Sequence, residues 1–358
     1  MSKVPVIDIT DLYHPPQDPG DNFDLIMPYA LPEIDLRAII LDATEEFRHR
    51  VANPDRPEHW DHLGPRDPGI IPVAQLNYIF GRDVPYGVGP FRRMTSPDDT
   101  LEDVPPFQQR GIALILETLR ESNELVNILS FGSARTLAAA YNRDPALLRS
   151  KVRRVYLSAG ATSPEFPEWN ILLDPHAIVC LLRSDLPIAI YPCGTKGGAC
   201  DYDRHNSFWL LPDLRFVAHM HPLLRRYLGF AIARVERVDF LHALDHDLST
   251  EEMERTYTRR HNVWETAVWA DVANRRLVRH SDGRYSLAAA ADVTPTDRVL
   301  PNDLRPCMAQ VPDDGFYRVA PTDEPTNFLL YDRGDPYENE KALREALPAL
   351  YCSFDPTR

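Results

Sequence analysis

Five aspartates crowd one stretch of the chain, VIDITDLYHPPQDPGDNFDLI (residues 6–26): Asp8, Asp11, Asp18, Asp21 and Asp24. It begins as a β-branched run and ends on helix-forming residues, so the carboxylates gather where a strand stops. Carboxylates held close raise one another's pKa unless a cation neutralises them or the loop keeps them apart. Hard cations such as Ca²⁺ and Mg²⁺ do this through oxygen ligands. The spacing of Asp18, Asp21 and Asp24 is not the alternate-position pattern of an EF-hand loop. A phosphatase-like Asp-x-Asp nucleophile loop is disfavoured, because Thr10 stands where its second aspartate belongs. The plainer alternative is that Asp18 and Asp21 make turns and cap a helix.

A second stretch carries chemistry of its own. PEFPEWNILLDPHAIVCLLRSDLPIAIYPC (164–193) sets Glu168 and Asn170 two apart, then opens a helix on Asp174-Pro175 and leads into a strand. After it, GTKGGACDYDRHNSFW (194–209) reads as a pocket-covering loop offering His205 and Asn206 as base contacts. It lacks the G-x-x-x-x-G-K-[ST] pattern of a phosphate cradle. His219 and His221 in HMHP have metal-ligand character, although such a pair more often caps or precedes a helix.

The elements that must position these residues alternate. VPVIDI is a strand, DLIMPYAL helical and IDLRAIILD a second strand, a β-α-β opening. VPYGVG (84–89), LVNILSFGS (125–133), KVRRVYLSAGA and PIAIYPC read as further strands. Helices lie between them at FQQRGIALILETLRES (107–122), ARTLAAAYNRDPALLR and DPHAIVCLLRS. This predicts an α/β fold, an open, mostly parallel sheet with helices on both faces and a ligand site at the carboxyl ends of its strands. Beyond residue 200 longer helices are expected, at 222–236 and across the charged stretch 249–274, followed by a hairpin on Asp282-Gly283. A helical and proline-rich C-terminal part completes the chain. The division expected is 1–290 for the α/β domain and 291–358 for an extension packed on it.

Composition bounds the partners. A net charge of −14 argues against a surface that neutralises nucleic-acid phosphates, and a small neutral or cationic ligand is the easier guest. Five scattered cysteines without C-x-x-C spacing suggest neither a disulfide framework nor a thiolate metal site and fit a reducing, cytoplasmic setting. Nothing approaches the ~18 uninterrupted apolar residues of a membrane span. The 33 prolines concentrate in 14–32, 53–106 and 292–325, which implies ordered but irregular loops on a scaffold.

Taken together, the two acidic stretches resemble the nucleoside hydrolases, the inosine/uridine-preferring N-ribohydrolase family. The family opens on D-x-D-P-G-x-D-D at the end of its first strand and carries a later E-F-N-x-x-x-D-P-x-A segment. Glu168, Asn170, Asp174, Pro175 and Ala177 fall in register with the second motif. FGSARTLAAAYNRDPALL and VYLSAGA are similar to two further family segments, and the likeness spans roughly residues 4–290.

The resemblance implies a hydrolase that cleaves the N-glycosidic bond of a small ribosyl substrate, with a bound calcium gripping the ribose hydroxyls and the attacking water. It implies no nucleic-acid or membrane partner and is compatible with a homo-oligomer. Asp8 matches the first motif aspartate by its place on the strand. The second, both ligand and base, falls on Thr10, Asp11 or Asp18, because LYHPPQ is inserted within the motif; Asp11 is preferred, with Asp18 its near rival. Asp21 and Asn22 take the places of the paired aspartates, with Asp24 compensating for the neutral Asn22. Glu168 and Asn170 carry over as ribose contacts.

The family's late H-D-P-x-A motif aligns with Trp264-Glu265, which makes Glu265 a metal ligand and puts an indole where a histidine helps the leaving base depart. An indole stacks on a base but does not protonate it, which leaves that task to a ring-stacked purine, a water, His205 or His14. Arg135 stands where a family threonine offers its backbone carbonyl to the metal. A guanidinium swung into the acidic pocket would replace the cation and pair with Asp21 or Glu265. That arrangement would make the chain a ribosyl-ligand-binding protein that has lost catalysis, the rival expectation.

Overall fold

The β-branched run Val4–Thr10 forms β1, and Gly20–Asp24 (α1) and Ile26–Ala30 (α2) return the chain to β2, Ile34–Leu41, which pairs parallel to β1. The structure is a computed structural model and describes residues 3–45, 66–233 and 238–357. Most of the proline-rich loop after β2 and the expected end of the helix at 236 lie outside the described residues. Alternation continues through α3 (Ile70–Phe80), β3 (Tyr86–Val88), α4 (Pro106–Glu121), β4 (Val126–Phe131), α5 (Arg135–Arg143) and α6 (Pro145–Lys151). It then runs through β5 (Val152–Ser158), α7 (Trp169–Leu173), α8 (Pro175–Leu182) and β6 (Ile188–Tyr191). The single helix expected over ARTLAAAYNRDPALLR is two. Pro145 has no N–H to continue α5, and the Asp144 side chain caps α6 by accepting from Leu147 N.

The charged stretch 249–274 is not one helix either. A capping box of Ser249 and Glu252 opens α10 (Thr250–Tyr257), His261–Val263 then runs extended as β8, and α11 (Thr266–Val272) follows. Two elements precede these, β7 (Trp209–Leu211) and α9 (Pro222–Ile232), and β8 pairs antiparallel with β7. The Asp282-Gly283 hairpin forms as expected between β9 (Arg275–Arg279) and β10 (Tyr285–Ala289), with Gly283 at φ +89°. Beyond β11 (Arg298–Val299), the tail is more regular than its prolines suggest. It contributes β12 (Asp303–Gln310), β13 (Arg318–Pro321) and β14 (Phe328–Asp332), then the 18-residue α12 (Pro336–Ser353).

Among the described residues the main sheet runs β13-β12-β14-β6-β5-β4-β1-β2-β3, parallel from β14 to β3 and antiparallel at the β13-β12-β14 end. Apolar side chains cover both faces. Ile7, Ile9, Ile128 and Leu157 pack with α4, α5 and α8, while Val6, Phe131, Tyr156 and Tyr191 pack toward α9, α11 and α12. The chain leaves β1 for β2 on one side and reaches β4 on the other. The carboxyl end of β1 is thus the crevice where strand order reverses, the place an open α/β sheet offers a ligand. Among the described residues no helix is long and apolar enough to cross a membrane.

Candidate active site

β1 delivers Asp8 on the strand and Asp11 just past its end, where the Asp11 N–H donates to the Phe131 carbonyl of β4. The inserted loop then folds back. His14 pairs with Asp67 through backbone hydrogen bonds and stacks on Phe230, with ring centroids 4.5 Å apart. Prolines at 15, 16 and 19 restrict the backbone around Gln17 and Asp18. Gln17 Nε2 donates to Asp11 Oδ2 at 3.0 Å, and Asp18 Oδ1 accepts from Gly20 N at 2.8 Å, which starts α1 and carries Asp21 inward. A Cβ on Gly20 would lie 3.0 Å from the Asn262 carbonyl, so α1 sits directly against β8.

From the other side, β8 leads into Trp264 and Glu265. The Trp264 indole N–H donates to the Cys193 carbonyl at 2.9 Å, its ring leans on Phe208, and its backbone N–H donates to Glu265 Oε2. Glu168 caps α7. Its two carboxylate oxygens accept from Asn170 N (3.0 Å), Gly160 N (2.7 Å) and Ile171 N (3.3 Å), while Asn170 Nδ2 donates to the Ser158 carbonyl at 2.9 Å.

These segments enclose one cavity of about 270 Å³, lined by Asp11, Gln17, Asp18, Asp21, Glu168, Trp169, Asn170, Cys193, Ala199, Trp264 and Glu265. Ligand pockets commonly run ~300–1,000 Å³, so this one suits a single small molecule. Asp11, Asp18, Asp21, Glu168, Asn170, Trp264 and Glu265, all expected from sequence, meet there. Gln17, Trp169, Cys193 and Ala199 were not anticipated individually, although each lies within one of the three stretches singled out in the sequence, 6–26, 164–193 and 194–209.

The rest of the expected set is placed differently. Asp24 and Asp8 are buried behind the cavity beside Glu265, not on its wall. His205 is not part of the wall; its Nδ1 lies 2.8 Å from the Tyr331 carbonyl because the loop anchors on β14. His14 is likewise absent, being stacked on Phe230. His221 caps α9 by accepting from Leu223 N.

Arg135 corrects an expectation outright. It is fully buried, yet it does not enter the acidic cavity. Nε bonds Asp174 Oδ2 at 2.7 Å, Nη1 donates to the carbonyls of Ala43, Pro90 and Phe91, and Nη2 to that of Leu173. Its planar fork is used up on the walls of the loops around it, so it replaces no cation between Asp21 and Glu265.

Burial raises every carboxyl pKa of the cluster, and repulsion between carboxylates adds to it for Asp8, Asp11, Asp18, Asp21 and Asp24. Asp18 is pushed up to about 7 by burial and then by Glu265, and Asp8 to about 8 by the same two causes. Asp11 is held well above the carboxylate range by burial, then by Asp42, Glu265 and Asp18; Asp21 by burial, then by Asp11, Asp18, Glu265 and Asp24. Burial lifts Glu168 to about 7 against its three backbone donors. Asp42 lies behind Asp11, accepting from Ser133 N and Oγ and from Thr136 Oγ1.

The donors fit a hard cation in kind, being oxygen, acidic and buried, with Asp21 Oδ2 and Asp8 Oδ1 lacking any hydrogen-bond partner. Among the described residues, no three His, Cys, Asp or Glu side chains yet close round one point as a ligand group.

Comparison with known proteins agrees with this geometry. The sequence model of the inosine-uridine preferring nucleoside hydrolase family matches residues 64–270. The pyrimidine-specific ribonucleoside hydrolase RihA of Escherichia coli O6:H1 is 27% identical over 183 residues, which are 48% of this chain and 57% of that protein. The chain thus spans about half the length of the curated relatives it matches. Two solved structures share the fold at a TM-score of 0.54, each covering 97% of this chain and 99% of the other. They are the purine-preferring ribonucleoside hydrolase from Gardnerella vaginalis (14% identity) and the plant nucleoside hydrolase PpNRh1 (16% identity). With the family model matched over more than half of this chain's length, the chain belongs to the inosine-uridine preferring nucleoside hydrolase family.

Proposed function

We propose that the chain hydrolyses the N-glycosidic bond of a ribonucleoside or a related ribosyl compound. The observation that carries this reading is the convergence of Asp11, Asp18, Asp21, Glu168, Asn170 and Glu265 on one small cavity at the carboxyl end of β1. Breaking an N-ribosidic bond leaves an electron-poor, oxocarbenium-like sugar, and preorganised anions around C1′ stabilise that charge as it develops. Asp11 is the preferred base, with Asp18 its rival. A carboxylate whose affinity for a proton has been raised takes one from water more readily, and Asp11 is raised by burial and by Asp42, Glu265 and Asp18 while the bond from Gln17 orients it. Glu168 and Asn170 face the sugar hydroxyls from the α7 side, each fixed by backbone bonds. Trp264 forms a wall on which a flat aglycone stacks.

Calcium is part of this reading. Asp11, Asp18, Asp21 and Glu265 would hold it, and bound there it would grip ribose hydroxyls and lower the pKa of a water. The free state of Cys180, Cys193, Cys200, Cys307 and Cys352 accords with a cytoplasmic setting. The rival reading of a binding protein loses its main support with Arg135 committed to Asp174.

The test is ribose release from inosine, uridine and p-nitrophenyl riboside by the purified protein, with calcium and after chelation. The expected outcome is turnover of at least one substrate, reduced by chelation and reduced more than ~100-fold in Asp11→Asn, as loss of a general base implies. No turnover with calcium present on any of the three, or on any other ribosyl compound tried, would overturn the reading.

A further inference from the structure

The cavity wall is anionic and aromatic at once. Five of its side chains are carboxylic, and no lysine, arginine or histidine is among its described lining residues. Trp264 presents its indole to the space, with the ring supported by Phe208 and the N–H bound to the Cys193 carbonyl. The amides of Asn170 and Gln17 already donate to Ser158 O and Asp11 Oδ2. None of these N–H groups is an acid near neutral pH. On the reading proposed above Asp11, Asp18, Asp21 and Glu265 hold a cation and take a proton from water, and both carboxylate oxygens of Glu168 are already engaged by the backbone N–H groups of Gly160, Asn170 and Ile171. A neutral base leaving such a wall has to depart with little protonation from it.

We propose that the cavity selects a ribosyl compound whose aglycone is already a flat aromatic cation, an N-ribosyl pyridinium, and releases that ring as a neutral base. This rests on the hydrolase reading and deepens it. In the step, the water oxygen bonds to C1′ and the C1′–N bond breaks. Its electron pair goes to the ring nitrogen and cancels the positive charge there. The proton of the water passes to the Asp11 carboxylate and on to solvent, so ribose, a neutral pyridine and one proton are formed. No acid is needed for the leaving group.

Charge favours this guest at both ends of the step. The cationic ring is attracted by the indole face and the carboxylates on arrival. As the bond breaks, the positive charge moves from the ring onto the sugar, toward Asp11, Asp21 and Glu265. Asp21 Oδ2, buried and without a hydrogen-bond partner, belongs to the wall that receives it.

The experiment compares kcat/KM of the calcium-loaded protein for nicotinamide riboside, nicotinic acid riboside, inosine and uridine. Nicotinamide riboside is expected to exceed inosine and uridine by at least ~100-fold. Nicotinic acid riboside, whose ring carboxylate meets the anionic wall, should fall ~10-fold or more below it. Trp264→Ala is expected to cost nicotinamide riboside ~10-fold or more, chiefly in KM, and Trp264→Phe, which keeps a ring without the N–H, to cost less. Inosine or uridine matching the pyridinium substrate overturns the proposal while leaving the hydrolase reading intact. So does Trp264→Phe losing as much as Trp264→Ala. Release of ribose from none of the four overturns both.

Discussion

If Asp11 is the base, as proposed, Gln17 is the residue that keeps it usable. A lone carboxylate facing Asp18, Asp42 and Glu265 has every electrostatic reason to turn away or take a proton, and the 3.0 Å bond from Gln17 Nε2 opposes both. Removing that donor leaves the backbone untouched, because Pro15, Pro16 and Pro19 fix the loop without it. Gln17→Ala is therefore expected to lower kcat for ribose release by roughly 10-fold, the worth of one hydrogen bond to a charged group. KM and thermal stability should change little. Gln17→Glu should cost more, since it sets another carboxylate against Asp11. Steady-state kinetics beside a melting curve checks this, and a loss that appears as lowered Tm with unchanged kcat would assign Gln17 a merely structural part.

Elements differ in how much of themselves the sequence discloses. Glu168, Asn170 and Asp174 were readable because a local rule fixes them. Glu168 caps α7 and Asp174 caps α8, so their spacing is set within a few residues and survives divergence. The choice between Asp11 and Asp18 was not, because an inserted loop moves carboxylates through space by an amount that spacing does not encode. Both line the cavity. Several strands were also hidden. β8 is three residues long inside a charged run, and β12 and β13 are largely exposed, so neither shows the alternation of a half-buried strand. Arg135 was misread for a related reason, since its partner Asp174 is 39 residues away and no periodicity links them. Their bond ties the N-terminus of α5 to that of α8. Arg135→Leu should accordingly destabilise the protein by ~3–5 kcal/mol, as loss of one member of a buried pair does, with the double change Arg135→Leu and Asp174→Asn recovering part of it. Urea unfolding measures this. A single variant as stable as the parent would deny the pair its structural role.

At the scale of the whole molecule, the tail and the crevice are one mechanical unit. The Tyr317 hydroxyl, in the loop before β13, donates to the Ala159 carbonyl at 2.5 Å, and its ring fills the space above Gly160, whose N–H holds Glu168. A fold closed this way keeps its acidic crevice buried whether or not anything neutralises it, and stability should record the cost. Asp8 is pushed up to about 8, and Asp18 and Glu168 to about 7, against ~4 in an unfolded chain. Between those values the folded state binds more protons than the unfolded one. Their contribution is complete below about pH 4 and is lost as pH rises through 7 and 8. His261 runs the other way. Burial lowers it to about 4, so it stays neutral in the fold, and the stability it gives above its unfolded value near 6.5 is lost as pH falls toward 4. Three carboxyls outweigh one histidine, so on these groups the calcium-free protein should lose stability as pH rises from about 4, with at least about 5 °C of Tm lost between pH 6 and 8.5, self-repulsion from the net charge of −14 acting in the same direction. A cation that binds the ionised carboxylates reverses this slope, so calcium should raise Tm more at pH 8.5 than at pH 5.5. Scanning calorimetry at the two pH values, with chelator and with calcium, reads both effects. A calcium-free Tm that is level or rising from pH 6 to 8.5 would mean that the carboxylates of the crevice are already compensated within the fold, and that no cation is needed there to hold it together.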